Sequence, residues 1–157
     1  MAQPLHMPAG AFQWLRFGPP VAWAIPTTEA DQARSSARAA LIDGLDAAAG
    51  IAERLRDKIA TSGEQQVQAN AAAICRWQLL TLRDRVLGLE HIAAEKRAHA
   101  KILHHLSDAA YAAQTLSGGY RCRHLDRICR GGQTLDDQFE ALARLRVKLA
   151  ATKDGRF

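Results

Sequence analysis

The sequence predicts an all-α protein: an elongated helical bundle built on a long αα-hairpin, with a short Arg-rich helix, a C-terminal helix and an extended N-terminal arm. Three observations carry this. All five prolines, the strongest helix breakers, fall within the first 26 residues (Pro4, Pro8, Pro19, Pro20 and Pro26). Hydrophobic residues make up 48% of the 157, yet Ala and Leu dominate that share and aromatics reach only 6%, a balance that favours helix over strand. Beyond residue 27 the apolar positions recur every three or four residues, the period of a half-buried helix.

Residues 1–26 are the arm. Its stretch AFQWLRFGPPVAWAIP holds Phe12, Trp14, Phe17 and Trp23, four of the nine aromatics (three Trp, two Tyr, four Phe). Prolines forbid a continuous helix there, so extended or turn-rich backbone is expected. Aromatic side chains left in water are costly, at ~1.5–3 kcal/mol per large side chain that could be buried. The arm therefore has to pack on its own bundle or on a partner, and these four residues are its candidate anchors.

Residues 27–157 form the bundle. A first helix spans about 28–62, with Thr28 as N-cap and early acidic residues in TTEAD, and with Gly63 as C-cap. Its stripe is Leu41, Leu45, Ala48, Ile51, Leu55 and Ile59. The stripe is continued upstream by Ala30, Ala33, Ala37 and Ala40, a smooth strip against which the arm could pack. A second helical region, 64–116, would measure ~80 Å unbroken. Its early stripe (Val67, Ala71, Ile74, Leu82, Val86, Leu89, Ala93) and later stripe (Ile102, Leu106, Ala110, Ala113) are offset by roughly 120°. Either the helix breaks near 95–108, at the polar EKRAHAK, or one long helix changes packing partner halfway, with Gly88 and Ser107-Asp108 as weaker candidates for a kink. A short helix over 120–130 lies between two glycine pairs, and a last helix spans 135–152 with Thr134 and Asp137 as a capping box.

The most loaded stretch is GGYRCRHLDRICRGG, residues 118–132. Four arginines against Asp126 give it +3 of the chain's net +5. Helical geometry separates Cys122 and His124 by ~200°, so they cannot share a zinc ion, and Cys122 and Cys129 lie ~10 Å apart along the axis, too far for a disulfide. The thiols read as small buried groups beside Leu125 and Ile128. Arg123, Arg127 and Arg130 share a ~60° sector and are the candidate contacts for an anion, nucleic acid or acidic protein. The bland alternative is a solvated face with an Asp126–Arg130 pair. Residues 107–130 also resemble a helix-turn-helix in pattern.

Other chemistry finds less support. His91, Glu95 and His99 recur at i+4, but on the side where solvated polar residues belong. Asp136, Asp137 and Glu140 are explained by the dipole of a first helical turn. No GxSxG, Walker A, GxGxxG or HExxH sequence occurs, so no catalytic residue, metal or cofactor is assigned. Three cysteines without a CxxC pair argue against a disulfide framework, and the apolar runs are too short for a membrane span. With no basic n-region to suggest a signal peptide, a cytoplasmic setting is expected, or a virion if the chain is of phage origin. The expected function is a non-catalytic helical interaction or assembly subunit, bacterial or phage, whose partners are other protein subunits in a homo-oligomer or larger assembly. Two alternatives stand beside it: a small nucleic-acid-binding protein, and a helical regulator that binds an acidic protein surface.

Overall fold

A computed structural model of the chain describes residues 28–89 and 95–152. They form four helices: α1 (Glu29–Thr61), α2 (Gln65–Leu87), α3 (Lys96–Arg121) and α4 (Leu125–Ala151). Among the described residues there is no strand. The aromatic arm, with Phe12, Trp14, Phe17 and Trp23, lies outside the described residues, as does any packing of it on the Ala strip of α1.

Helix α1 begins where a cap permits. The Asp31 amide donates to Thr28 Oγ1 at 3.3 Å, and the Thr28 hydroxyl donates to Asp31 Oδ2 at 2.7 Å. Its far end stops at Ser62, not Gly63. The Gln68 side-chain amide reaches back to the carbonyls of Ile59 and Ser62, at 3.3 and 2.8 Å, so no left-handed glycine is required. Leu41, Leu45, Ala48, Ile51 and Leu55 are buried along the expected stripe.

The long middle region is interrupted: α2 ends at Leu87 with Gly88 as its C-cap, and α3 begins at Lys96. The polar EKRAHAK opens α3 instead of separating two halves, and Ser107-Asp108 lies inside α3. That break accounts for the two offset stripes. The later stripe is buried as expected, and the early one in part: Leu82 and Val86 are buried and Ala71 and Leu89 half-buried, but Val67 and Ile74 are exposed. Helix α2 buries Ala69, Ala72, Cys75 and Leu79 in their place. Small residues face inward because α2 lies close against α3, close enough for Ser117 Oγ to donate to the Ala69 carbonyl at 2.9 Å.

The stretch 118–132 departs most from expectation. It is not a separate helix between hinges. Both glycine pairs lie inside long helices, and the chain turns between them at 122–124. The turn closes with His124 N donating to Gly119 O (2.9 Å) and Arg123 N to Tyr120 O (3.2 Å), a Schellman arrangement. Its left-handed position, usually glycine, is Arg123 at φ 52°. The glycines serve a different purpose. A Cβ on Gly119 would sit 2.8 Å from the Ile128 nitrogen, and one on Gly131 would sit 2.7 Å from the Leu116 nitrogen. Helices α3 and α4 thus meet backbone to backbone on both sides of the turn. Gly118 and Gly132 face open space. Helix α4 begins ten residues before the expected capping box, so Thr134 caps nothing.

Layout follows from these contacts. Helix α3 packs along α2 and α4, and α1 packs on α2 and α4, which gives an antiparallel four-helix bundle. Leu135, Phe139, Leu142, Leu145 and Leu149 of α4 enter the shared core with Ile102, Leu106 and Leu116 of α3. Exposed ion pairs Asp46–Arg146 (2.8 Å) and Arg56–Asp136 (2.9 Å) join α1 and α4 in antiparallel register.

One polar clasp is buried. Glu95, whose side chain is wholly buried, accepts from Arg38 Nε at 3.0 Å and Nη2 at 2.7 Å through Oε1. Arg38 Nη1 donates in turn to the Thr152 carbonyl. This ties α1 to the start of α3 and the end of α4. Glu95 Oε2 has no hydrogen-bond partner among the described residues, so the arginine is the carboxylate's main compensation.

Two predictions follow, both read by urea denaturation followed by circular dichroism. Gly119→Ala and Gly131→Ala should each destabilise by about 1–3 kcal/mol through overpacking, whereas Gly118→Ala, Gly132→Ala and Arg123→Gly should each stabilise by about 0.5–1 kcal/mol. Arg38→Ala should cost about 3–5 kcal/mol by stranding the Glu95 charge, and replacing Arg38 and Glu95 together by leucine should recover most of that loss.

Candidate functional site

Two surfaces stand out. The first is a cleft of ≈ 830 Å³ at the α3–α4 turn end, where three helices contribute side chains. Helix α2 supplies Arg76 and α3 supplies Tyr111, Gln114, Thr115 and Arg121, which recur at helical spacing on one face. Helix α4 supplies Arg127 and Arg130 from its first two turns. Gly118 leaves the α3 backbone open there, and the Ser117 hydroxyl is already committed to Ala69.

The electrostatics of this cleft are one-sided. None of its lining residues is acidic. Arg34, Arg38, Arg56, Arg83, Arg144 and Arg146 each have a carboxylate partner; Arg76, Arg121, Arg127 and Arg130 have none among the described residues, nor do Arg54, Arg85, Arg97 and Arg123, but only the first four of these line this cleft. The expected Asp126–Arg130 pair does not form among them either. Of the three arginines marked from sequence, Arg127 and Arg130 enter the cleft and Arg123 does not, because it occupies the turn. Sequence reasoning missed Arg76 and Arg121. Arg121 was within reach once α3 is run through the glycine pair, since residues 111, 114, 118 and 121 then share a face. Arg76 is brought in only by packing of α2 on α3.

Helix-turn-helix geometry is absent here. Contacts between Gly119 and Ile128, Leu116 and Gly131, and His105 and Gln138 (2.8 Å) run antiparallel along both helices. A DNA-reading pair would instead cross at about 90–120°. Leu125, read from sequence as packing beside the buried thiols, is 71% exposed.

The second surface is an apolar groove between α1 and α2. Two adjoining hollows of ≈ 310 and ≈ 390 Å³ share Ile51, Arg54 and Gln78. Ile51 and Leu55 of α1 and Ala71 of α2 line it. Above them Val67, Ile74 and Trp77 are 38%, 57% and 66% exposed. Val67 and Ile74 are side chains whose burial the sequence predicted. They mark a face that the chain's described residues leave uncovered.

Other candidate groups are engaged differently. His99 Nε2 lies 2.7 Å from the Val86 carbonyl, and Glu95 is buried with Arg38 instead of facing solvent. His104 pairs with Asp108 at 3.4 Å, while His91 lies outside the described residues. Asp136 and Glu140 stand mid-helix, paired with Arg56 and Arg144, so no helix N-terminus accounts for them. Among the described residues no cluster of three or more His, Cys, Asp or Glu could hold a metal, and no helix is long and apolar enough to cross a membrane.

The thiols invert the expected pattern. Cys122 and Cys129 are exposed, because the turn sets them outside the α3–α4 seam, and Cys75 is the buried one. Burial pushes the Cys75 thiol up to about 12, against a smaller opposing pull from Arg54. A thiol held neutral at pH 7 is a poor nucleophile and metal ligand. Burial, with the proximity of Cys129, also raises the Tyr120 phenol.

With a thiol-reactive dye at pH 8, two thiols should react rapidly in the native protein, and Cys75 only after denaturation. The folded pKa of Cys75 lies above the unfolded value of 9.0, so its contribution to stability is complete below pH 9 and declines as pH rises toward 12. Cys75→Ala should remove that part of the alkaline decline in urea midpoint.

Compared with protein-family models, curated proteins and solved structures, the chain matches none, so any functional reading rests on these two surfaces.

Proposed function

We propose that the protein is a non-catalytic helical interaction and assembly subunit, in which the α1/α2 groove receives the aromatic segment 1–26 of a neighbouring copy. One observation carries this reading: the row of exposed Val67, Ile74 and Trp77 above an apolar groove. Apolar surface is worth roughly 25 cal/mol per Å² when removed from water, so such a row favours an occupant. Phe12, Trp14, Phe17 and Trp23 are side chains of the matching chemistry, and aromatic anchors are what such grooves take.

The layout of α1 favours a neighbour's groove over the chain's own. Residues 28–36 are all exposed, so α1 begins clear of the bundle. An arm of this length can span up to ~90 Å when extended, ample to reach an adjacent copy. A bacterial or phage origin, and a cytoplasmic or virion setting, belong to the same proposal and rest on composition alone.

Size exclusion with light scattering tests it. The full chain should run as an oligomer. Deleting residues 1–26, or introducing Trp77→Asp or Ile74→Asp, should weaken self-association at least ~10-fold with helicity unchanged. A full chain that stays monomeric across concentration and salt overturns the reading. So does global unfolding on deletion, which would assign the segment to its own bundle.

A further inference from the structure

We propose that the arginine cleft is a binding site for single-stranded nucleic acid, gripping its phosphates with Arg76, Arg121, Arg127 and Arg130. It is separate from the α1/α2 groove and does not depend on the assembly reading.

The argument begins with charge. Four guanidiniums gathered at one cleft repel one another unless an anion joins them. The bundle could have supplied that anion, since six other arginines have carboxylate partners, yet no acidic residue lines the cleft. Asp126 lies one turn before Arg130 and still does not pair with it. The countercharge is left to a ligand.

Geometry narrows the class of ligand. All four cations are arginine, whose planar fork gives paired N–H donors to phosphate oxygens. They arrive from three helices, so they surround a concavity instead of lining one helix face. Carboxylates would satisfy the same forks, so the remaining lining decides between phosphate and an acidic peptide. Tyr111, 72% exposed at the cleft, offers a ring on which a base can stack. Gln114 and Thr115 beside it add an amide and a hydroxyl suited to base edges and sugars. Carboxylate side chains offer no face to stack on that ring, whereas every base does.

Shape argues for a strand over a duplex. Helices α3 and α4 pack together along their length, so neither projects as a reader for a major groove. The cleft, at ≈ 830 Å³, has room for a few nucleotides with splayed bases.

Fluorescence anisotropy with the full chain tests this, using end-labelled mixed-sequence RNA and DNA strands of about twelve nucleotides. The competitors are the corresponding duplex and poly-glutamate of equal length. The single strand should bind, with log K falling against log salt at a slope of about −2 to −3, near −0.7 per phosphate contacted. Arg76→Ala, Arg121→Ala, Arg127→Ala and Arg130→Ala should each weaken binding several-fold and reduce the slope by about 0.7. Tyr111→Leu should weaken it at least ~5-fold with the slope unchanged. Arg97→Ala, at the opposite end of α3, should change nothing. Absence of strand binding at low salt overturns the proposal. So do tighter binding of duplex or poly-glutamate, and cleft variants no weaker than Arg97→Ala. Because Trp77→Asp should bind the strand normally, failure here is distinguishable from failure of the assembly reading.

Discussion

Two glycines set how closely α3 and α4 approach, and the rest of the bundle is arranged around that approach. At Gly119 and Gly131 the two backbones come so near that a single methyl group would collide with main-chain nitrogen of the facing helix. Bringing α4 this close turns its leucine face into the seam with α3. It also leaves the first two turns of α4 flush with the end of α3, which is why Arg127 and Arg130 stand beside Arg121. The cleft is a by-product of that seam as much as of the arginines.

A second constraint acts at the opposite end. The buried Arg38–Glu95 pair joins α1 to the start of α3, and its third donor reaches the carbonyl of Thr152, the C-cap of α4. Between these fixed ends α2 has the freedom to turn its small residues inward and its larger ones out. Ala69 and Ala72 allow a close seat against α3, and Ile74 and Trp77 are then carried to the surface. The apolar groove is thus the consequence of choosing closeness on one side of α2. A chain that buried Ile74 and Trp77 against α3 would have to hold the two helices farther apart.

Much of the fold was legible because helix periodicity is a local property. The stripes of α1 and α4, the later stripe of α3 and the Thr28 cap can each be read from neighbouring residues. What failed were inferences that treat residue identity as a proxy for role. Glycine pairs read as hinges because isolated glycine favours breaks, yet within a tight seam glycine is the residue that lets a helix continue. Val67 and Ile74 read as core because they are large, yet proximity selects small side chains. Glu95 read as solvated because carboxylates are costly to bury, and only the distant Arg38 reverses that expectation.

The sequence by itself determined the all-α class, the start of α1, the core faces of α1 and α4 and the concentration of positive charge in residues 118–132. These follow from helical period, capping chemistry and formal charge, none of which needs a third dimension. Tertiary structure alone decided which arginines meet. Arg76 comes from a helix more than forty residues upstream of Arg121, and Arg123, adjacent in sequence to the others, is diverted into the turn. It also decided which thiol is buried and which hydrophobic side chains remain outside. Those outcomes depend on the distance between helices, and that distance is set where two backbones touch.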